Sequence, residues 1–166
     1  WTLTQAAPAP TMSSITPDTG INYGTTAITN LAGSNFQAGA TVKLTRSGQT
    51  DIVATNVNVV SAEQITCEFD LTGAADGVWD VVVTNPDNQQ ATLSGGFTVE
   101  ALPAPQITSV VPVSATNTGS LTGLVIEGTG FWMTGNTSVK LTQSGQSDLV
   151  ATQVHVVSET QLTCDV

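Results

Sequence analysis

Apolar and polar residues alternate along most of this chain. Val42 and Leu44 stand two apart, as do Val57 and Val59; Ile65, Cys67, Phe69 and Leu71 continue the pattern, then Trp79, Val81 and Val83, and Leu93, Phe97 and Val99 share one phase. A period of two puts these side chains on one face of an extended strand, with the intervening polar residues on the other. No stretch keeps a helical period. About seven short strands are therefore expected in the stretch ending at Glu100, with turn signals roughly every ten residues, and that pattern predicts a β-sandwich. The turns are expected at Arg-Ser-Gly-Gln-Thr-Asp around Gly48, at Asn85, Pro86 and Asp87, and at Gly33 just before Phe36.

One block of this pattern occurs twice. KLTRSGQTDIVATNVNVVSAEQITC at residues 43–67 returns as KLTQSGQSDLVATQVHVVSETQLTC at residues 140–164, an offset of 97, and roughly two-thirds of the paired positions are identical. Self-similarity at this period means that one folding unit has been copied. A repeat of about 95 residues is the size of a small sandwich domain with its own core. The opening WTLTQAAPAP matches FTVEALPAP at residues 97–105, so residues 1–9 read as the last strand and linker of a preceding repeat, or as a donor strand. Residues 10–102 are then repeat 1, and residues 103–166 are repeat 2, incomplete at its C-terminal end. Pro8 to Pro10 and Pro103 to Pro105 form extended, semi-rigid joints. Pro17 and Pro112 are expected to end the first strand of each copy, because proline has no N–H to give a ladder.

Composition narrows the class of function. Three Lys and Arg stand against 13 Asp and Glu, for a formal charge of −10. Such a surface repels nucleic acid and anionic membranes, which are both bound by cationic side chains. No apolar run is long enough to cross a membrane as a helix, so no membrane insertion is expected within this stretch. Charged residues make up 10% of the chain, well below the quarter of an ordinary soluble protein, with Thr, Ser, Asn, Gln and Gly in their place. Each repeat holds a single Cys, which excludes an internal disulfide framework.

The ordered motifs carry a family resemblance. Ile-Thr-x-x-x-Pro, a Gly-rich strand ending Gly-x-x-Phe, Val-Val-Ser-x-x-Gln-Ile-Thr-Cys, Gly-x-Trp-x-Val-Val-Val-Thr-Asn-Pro-Asp and Gly-Phe-Thr-Val together resemble the IPT/TIG family of immunoglobulin-like domains, in the tandem form found in bacterial and archaeal surface proteins. The resemblance spans essentially the whole chain. It implies an all-β architecture of tandem immunoglobulin-like sandwiches, without catalysis, in adhesins, surface layers, receptors or spacers beside enzyme domains. The basic loops of the family's DNA-binding branch have no counterpart here.

Candidate sites are few. His155 is the one histidine, in the outward phase between Val154 and Val156, and its counterpart is Asn58; no acid is placed to complete a triad, and there is no Gly-x-Ser-x-Gly elbow. Cys67 and Cys164 lie in phase with apolar neighbours and are expected in the core. Asp51 and Asp148 follow the Gly turns, but no Asp-x-Asp-x-Asp-Gly loop gathers oxygens for calcium. No cofactor, metal or catalytic residue is expected. The loop after Phe131 is two residues longer than the one after Phe36 and carries Trp132 and Met133, an apolar pair that suits a contact with a partner or a sugar face. It also holds Asn136-Thr137-Ser138, a glycosylation sequon.

These features favour a non-catalytic structural or adhesive repeat of an extracellular cell-surface protein, of a kind that builds a layer or filament. Its expected partners are other copies of itself, other surface proteins or glycans, and no nucleic acid. The alternative is a ligand-binding or spacer module of a secreted polysaccharide-active enzyme. By the offset of 97, Val166 corresponds to Phe69, so repeat 2 lacks the counterparts of Trp79, Val81, Val83, Leu93, Phe97 and Val99. At about 1.5–3 kcal/mol each, their loss is roughly 10 kcal/mol, as large as the stability of a whole domain. Two expectations follow: the native polypeptide continues beyond Val166, or another chain supplies the missing strands.

Overall fold

The computed structural model describes residues 7–116, 119–131 and 137–166. Contacts divide the chain into two units, Trp1–Leu102 and Pro103–Val166. The described residues of unit 1 form nine strands: β1 (Thr11–Thr16), β2 (Thr19–Ile21), β3 (Thr25–Ser34), β4 (Thr41–Thr45), β5 (Ile52–Val53), β6 (Thr55–Ser61), β7 (Gln64–Asp70), β8 (Gly77–Thr84) and β9 (Gln90–Glu100). One sheet has the order β1-β3-β7-β6 and the other β2-β9-β8-β4-β5. The first strand of the fold is thus shared between sheets, β1 in one and β2 in the other, with Pro17 between them.

That order is the A-B-E-D and A′-G-F-C-C′ arrangement of an immunoglobulin-like sandwich. The alternation seen in the sequence fills the space between the sheets: Leu31, Ile65, Cys67 and Phe69 from one, Val42, Leu44, Trp79, Val81, Phe97 and Val99 from the other, all buried in one cluster. The rings of Phe69 and Phe97 meet across the sheets with centroids 5.9 Å apart. Val82, in the outward phase, is buried as well. It lies on the central strand of its sheet, between Lys43 and Thr92.

Three details depart from the sequence pattern. β2 and β5 add two short strands to the seven expected, and β2 pairs with β9 in parallel, Thr19 beside Thr98 and Ile21 beside Glu100. Gly33 is a strand residue within β3, and the turn falls at Asn35, whose φ is 59°. Glycine is needed at 33 because a Cβ there would lie 2.0 Å from the carbonyl oxygen of Thr11 and 2.4 Å from the Phe36 ring. Gly95, at φ 62°, opens a bulge in β9 that lets Trp79 pair with Phe97 and Val81 with Leu93. The Asp80 carboxylate accepts the Gly95 N–H at 2.7 Å.

In unit 2 the described strands are β10 (Gln106–Val111), β11 (Leu124–Thr129), β12 (Lys140–Leu141), β13 (Leu149–Val150), β14 (Thr152–Ser158) and β15 (Gln161–Asp165). The order β10-β11-β15-β14 repeats β1-β3-β7-β6, and β12-β13 repeats β4-β5. Register follows the duplication. Met12 pairs with Gly33 as Ile107 pairs with Gly128, and Ile28 pairs with Cys67 as Leu124 pairs with Cys164. Between Ile28 and Leu31 β3 carries a bulge opposite β7; β11 runs against β15 without one, which shifts the offset between copies within this strand.

Candidate functional site

What distinguishes the two units is a groove in unit 2. Between Pro103 and Val166 the described strands repeat β1, β3, β4, β5, β6 and β7 of unit 1, and none repeats β8 or β9. The four-stranded sheet and the β12-β13 hairpin are therefore left facing each other across an apolar groove of about 1550 Å³. Its walls include Val110, Val113, Leu124, Leu141, Leu149, Val150 and Val166. Residues 114–116, which by the duplication stand where β2 stands in unit 1, also line it.

The repeat supplies its own reference state. Leu44 in β4 is 0% exposed, whereas its counterpart Leu141 in β12 is 42% exposed; Ile52 in β5 is half-buried, whereas its counterpart Leu149 in β13 is 58% exposed. On the covered side, equivalent residues are buried in both copies: Ile65 and Leu162, Cys67 and Cys164, Phe36 and Phe131. The sheet of unit 2 is thus formed and packed, with Leu121 and Val166 extending its ladder through two backbone hydrogen bonds of 2.7 and 2.9 Å. Only the face that β8 and β9 cover in unit 1 is open. Among the described residues, β12 pairs with β13 alone, while β4 pairs with both β5 and β8.

The remaining candidates do not converge on a reactive centre. His155 is an exposed residue of β14, paired with Thr163. Cys67 and Cys164 are buried free thiols. Burial, with a smaller contribution from the Glu68 charge, pushes the Cys67 thiol up to about 12. Burial and then the Asp165 charge raise that of Cys164. Asp51 pairs with Lys43 at 2.7 Å, and Asp148 with Lys140 at 2.8 Å; each pair tethers the ends of the same hairpin in its own unit. Asp70 is held below the usual carboxylate range by the hydroxyl and N–H of Thr72. Asp87 is lowered by the Gln89 N–H and the Gln37 amide. Among the described residues no group of three or more His, Cys, Asp or Glu side chains is gathered for a metal ion. Trp132, Met133 and Asn136 lie outside the described residues.

One polar residue carries a role that its place in a turn motif does not reveal. Asn85 is 2% exposed. Its Nδ2 donates to the Asn35 carbonyl at 2.8 Å and its Oδ1 accepts from the Gln37 N–H at 3.2 Å. It thereby ties the loop after β3 to the turn after β8.

No family model matches this chain, and no curated protein matches it. Among solved structures the chain is similar to the extracellular region of plexin A4, domains 1 to 10, at 18% identity and a TM-score of 0.47. The similarity covers 95% of this chain and 12% of that one.

Proposed function

We propose that this protein is a non-catalytic structural or adhesive repeat module of an extracellular surface protein, of the IPT/TIG type. The observation that carries this reading is the duplication itself. One immunoglobulin-like pattern is copied with the same sheet order, the same Lys–Asp hairpin tie and the same buried cysteine, while the one histidine of the second copy is an asparagine in the first. A module selected for its shape keeps its core and its spacing through duplication; one selected for a reaction keeps its reactive side chains. The polar, weakly charged surface and the Pro-Ala-Pro joints suit domains strung along an exposed polypeptide. Antibody raised against unit 1 should label intact cells of the native host, and external protease should remove that label. Labelling that requires permeabilised cells would refute a surface role.

A further inference from the structure

We infer that the Pro-Ala-Pro joint is a docked strap in place of a free tether: its residues are fastened to the unit that follows, the residue before it is fastened to the unit it leaves, and the ψ of Leu102 is the torsion left free. This goes beyond the repeat-module reading and does not depend on where the protein acts. The boundary between the units falls at the same bond, with Leu102 in one and Pro103 in the other.

The exit is held by a side chain that stands in for backbone. In a parallel pair, one residue bonds two residues of its neighbour, through its N–H on one side and its C=O on the other. Just past Ile21, where β2 ends beside Glu100, the Asn22 N–H donates to the Glu100 carbonyl at 2.8 Å. The Asn22 carbonyl is engaged elsewhere, accepting the Gly73 N–H at 3.2 Å. Its Oδ1 accepts the Leu102 N–H at 2.9 Å instead, and its Nδ2 donates to the Ala74 carbonyl at 3.4 Å. Asparagine suits this place because its amide carries an acceptor and a donor together. The ladder between β2 and β9 is thereby carried one rung further, to the last residue of unit 1. In the sequence of the second copy, Asn117 stands at the corresponding place, in Asn-x-Gly like Asn22-Tyr23-Gly24, although both neighbours of the asparagine differ.

The entry is held on a left-handed turn. Asn35, at φ 59°, is fixed through its carbonyl by the buried Asn85, and its own Nδ2 donates to the Ala9 carbonyl at 2.9 Å. Gln89, steadied by Asp87 at 3.1 Å, donates from Nε2 to the Ala7 carbonyl at 2.7 Å. In unit 2 the turn residue is Gly130, at φ 72°, and the middle of the joint lies over it. A Cβ built on Gly130 would be 3.2 Å from the Ala104 carbonyl oxygen and 3.3 Å from the Pro105 Cα. Ala9 and Ala104 occupy the same position of the joint, each between two prolines. The copied unit thus seats the joint on the same turn twice, by a hydrogen bond in one copy and by close packing in the other.

Little freedom remains between the two fastenings. The φ of Pro103 is fixed by its ring, and a residue before proline is kept to extended conformations, so even the ψ of Leu102 has a narrow range. A linker of Gly and Ser would leave every torsion open.

Backbone amide NMR relaxation of the full chain reads this directly, because Ala9, Leu102 and Ala104 each carry an N–H. All three should show order parameters near the value of about 0.85 typical of rigid backbone, well above the value of about 0.6 below which a segment is flexible. Asn22→Ala should lower the order of Leu102 and leave Ala104 unchanged, whereas Asn22→Asp, which keeps the acceptor, should hold Leu102 rigid. Asn35→Gly with Gln89→Ala should loosen Ala9 and leave Leu102 unchanged. Unaltered amide signals from β7 and β8 report that unit 1 is folded in each variant. The inference is overturned if Leu102 or Ala104 falls in the flexible range in the full chain, a result that needs no variant to fold. It is equally overturned if folded Asn22→Ala leaves Leu102 as rigid as before.

Discussion

Leu44 and Leu141 occupy the same position in the two copies, each within the sequence Lys-Leu-Thr, and the structure gives them opposite fates. Truncating each to Ala therefore tests whether the covering strands, and not the local sequence, make the core. Leu44 is fully enclosed, so Leu44→Ala removes a buried side chain and leaves a cavity, at a cost of about 2–5 kcal/mol. Leu141 is 42% exposed and borders an open groove. Full burial of a Leu side chain is worth about 1.5–3 kcal/mol, and only part of that is realised here with no closed cavity to create, so Leu141→Ala should cost about 1 kcal/mol or less. Urea titration followed by hydrogen exchange reads the two costs separately, from peptides of each unit. In a variant that carries a second copy of residues 70–100 after Val166, the cost of Leu141→Ala should rise into the Leu44 range. Equal costs for the two substitutions without that added segment would refute the structural difference between the units.

Trp79→Ala should destabilise unit 1 by about 3–5 kcal/mol in denaturant titration, because the side chain is 2% exposed and its indole N–H donates to the Ala75 carbonyl at 3.0 Å. Asn85→Ala should cost about 1–3 kcal/mol by leaving the Asn35 carbonyl and Gln37 N–H without their partner; hydrogen exchange should quicken at Gln37 before it does in β7. The Cys67 thiol should resist maleimide in the folded chain and react once unfolded. Its folded value of about 12 lies above the ordinary thiol value of 9.0, so between those values the unfolded chain releases a proton that the folded chain keeps. Stability contributed by this site is accordingly intact below about pH 9 and lost as pH rises toward about 12; Cys67→Ala should flatten that part of the pH dependence.

The strand phases were legible in the sequence because each sheet of the sandwich presents one face to the core, and a two-residue period records that directly. Val42, Leu44, Ile65, Phe69, Trp79 and Phe97 all lie where alternation puts them. β2 was not legible. Three residues, Thr-Gly-Ile, are too few to show a period, and their pairing is fixed by β9 from the far end of the repeat. Gly33 read as a turn because nothing local signals that a neighbouring strand passes within van der Waals distance of its Cα. Asn85 read as a turn residue, and it is one; its burial depends on a loop 50 residues away in sequence. The groove was legible only as missing strands, since which residues line it depends on how the strands that are present fold around the space.

The parallel pairing of β2 with β9 has a mechanical consequence. β2 follows β1, the entering strand, and meets the end of β9 where the chain leaves unit 1; the two run in the same direction. Tension between the first and last residues of unit 1, once it reaches β2 through β1, pulls one strand against the other along their shared axis. The hydrogen bonds between them, together with the Thr98 N–H to Asp18 carbonyl bond at 2.8 Å, are then loaded in shear, so that several must yield at once. An antiparallel terminal pair pulled from the same end would open one bond at a time, like a zip. Unit 1 is therefore wired to hold its shape under a pull along its own polypeptide.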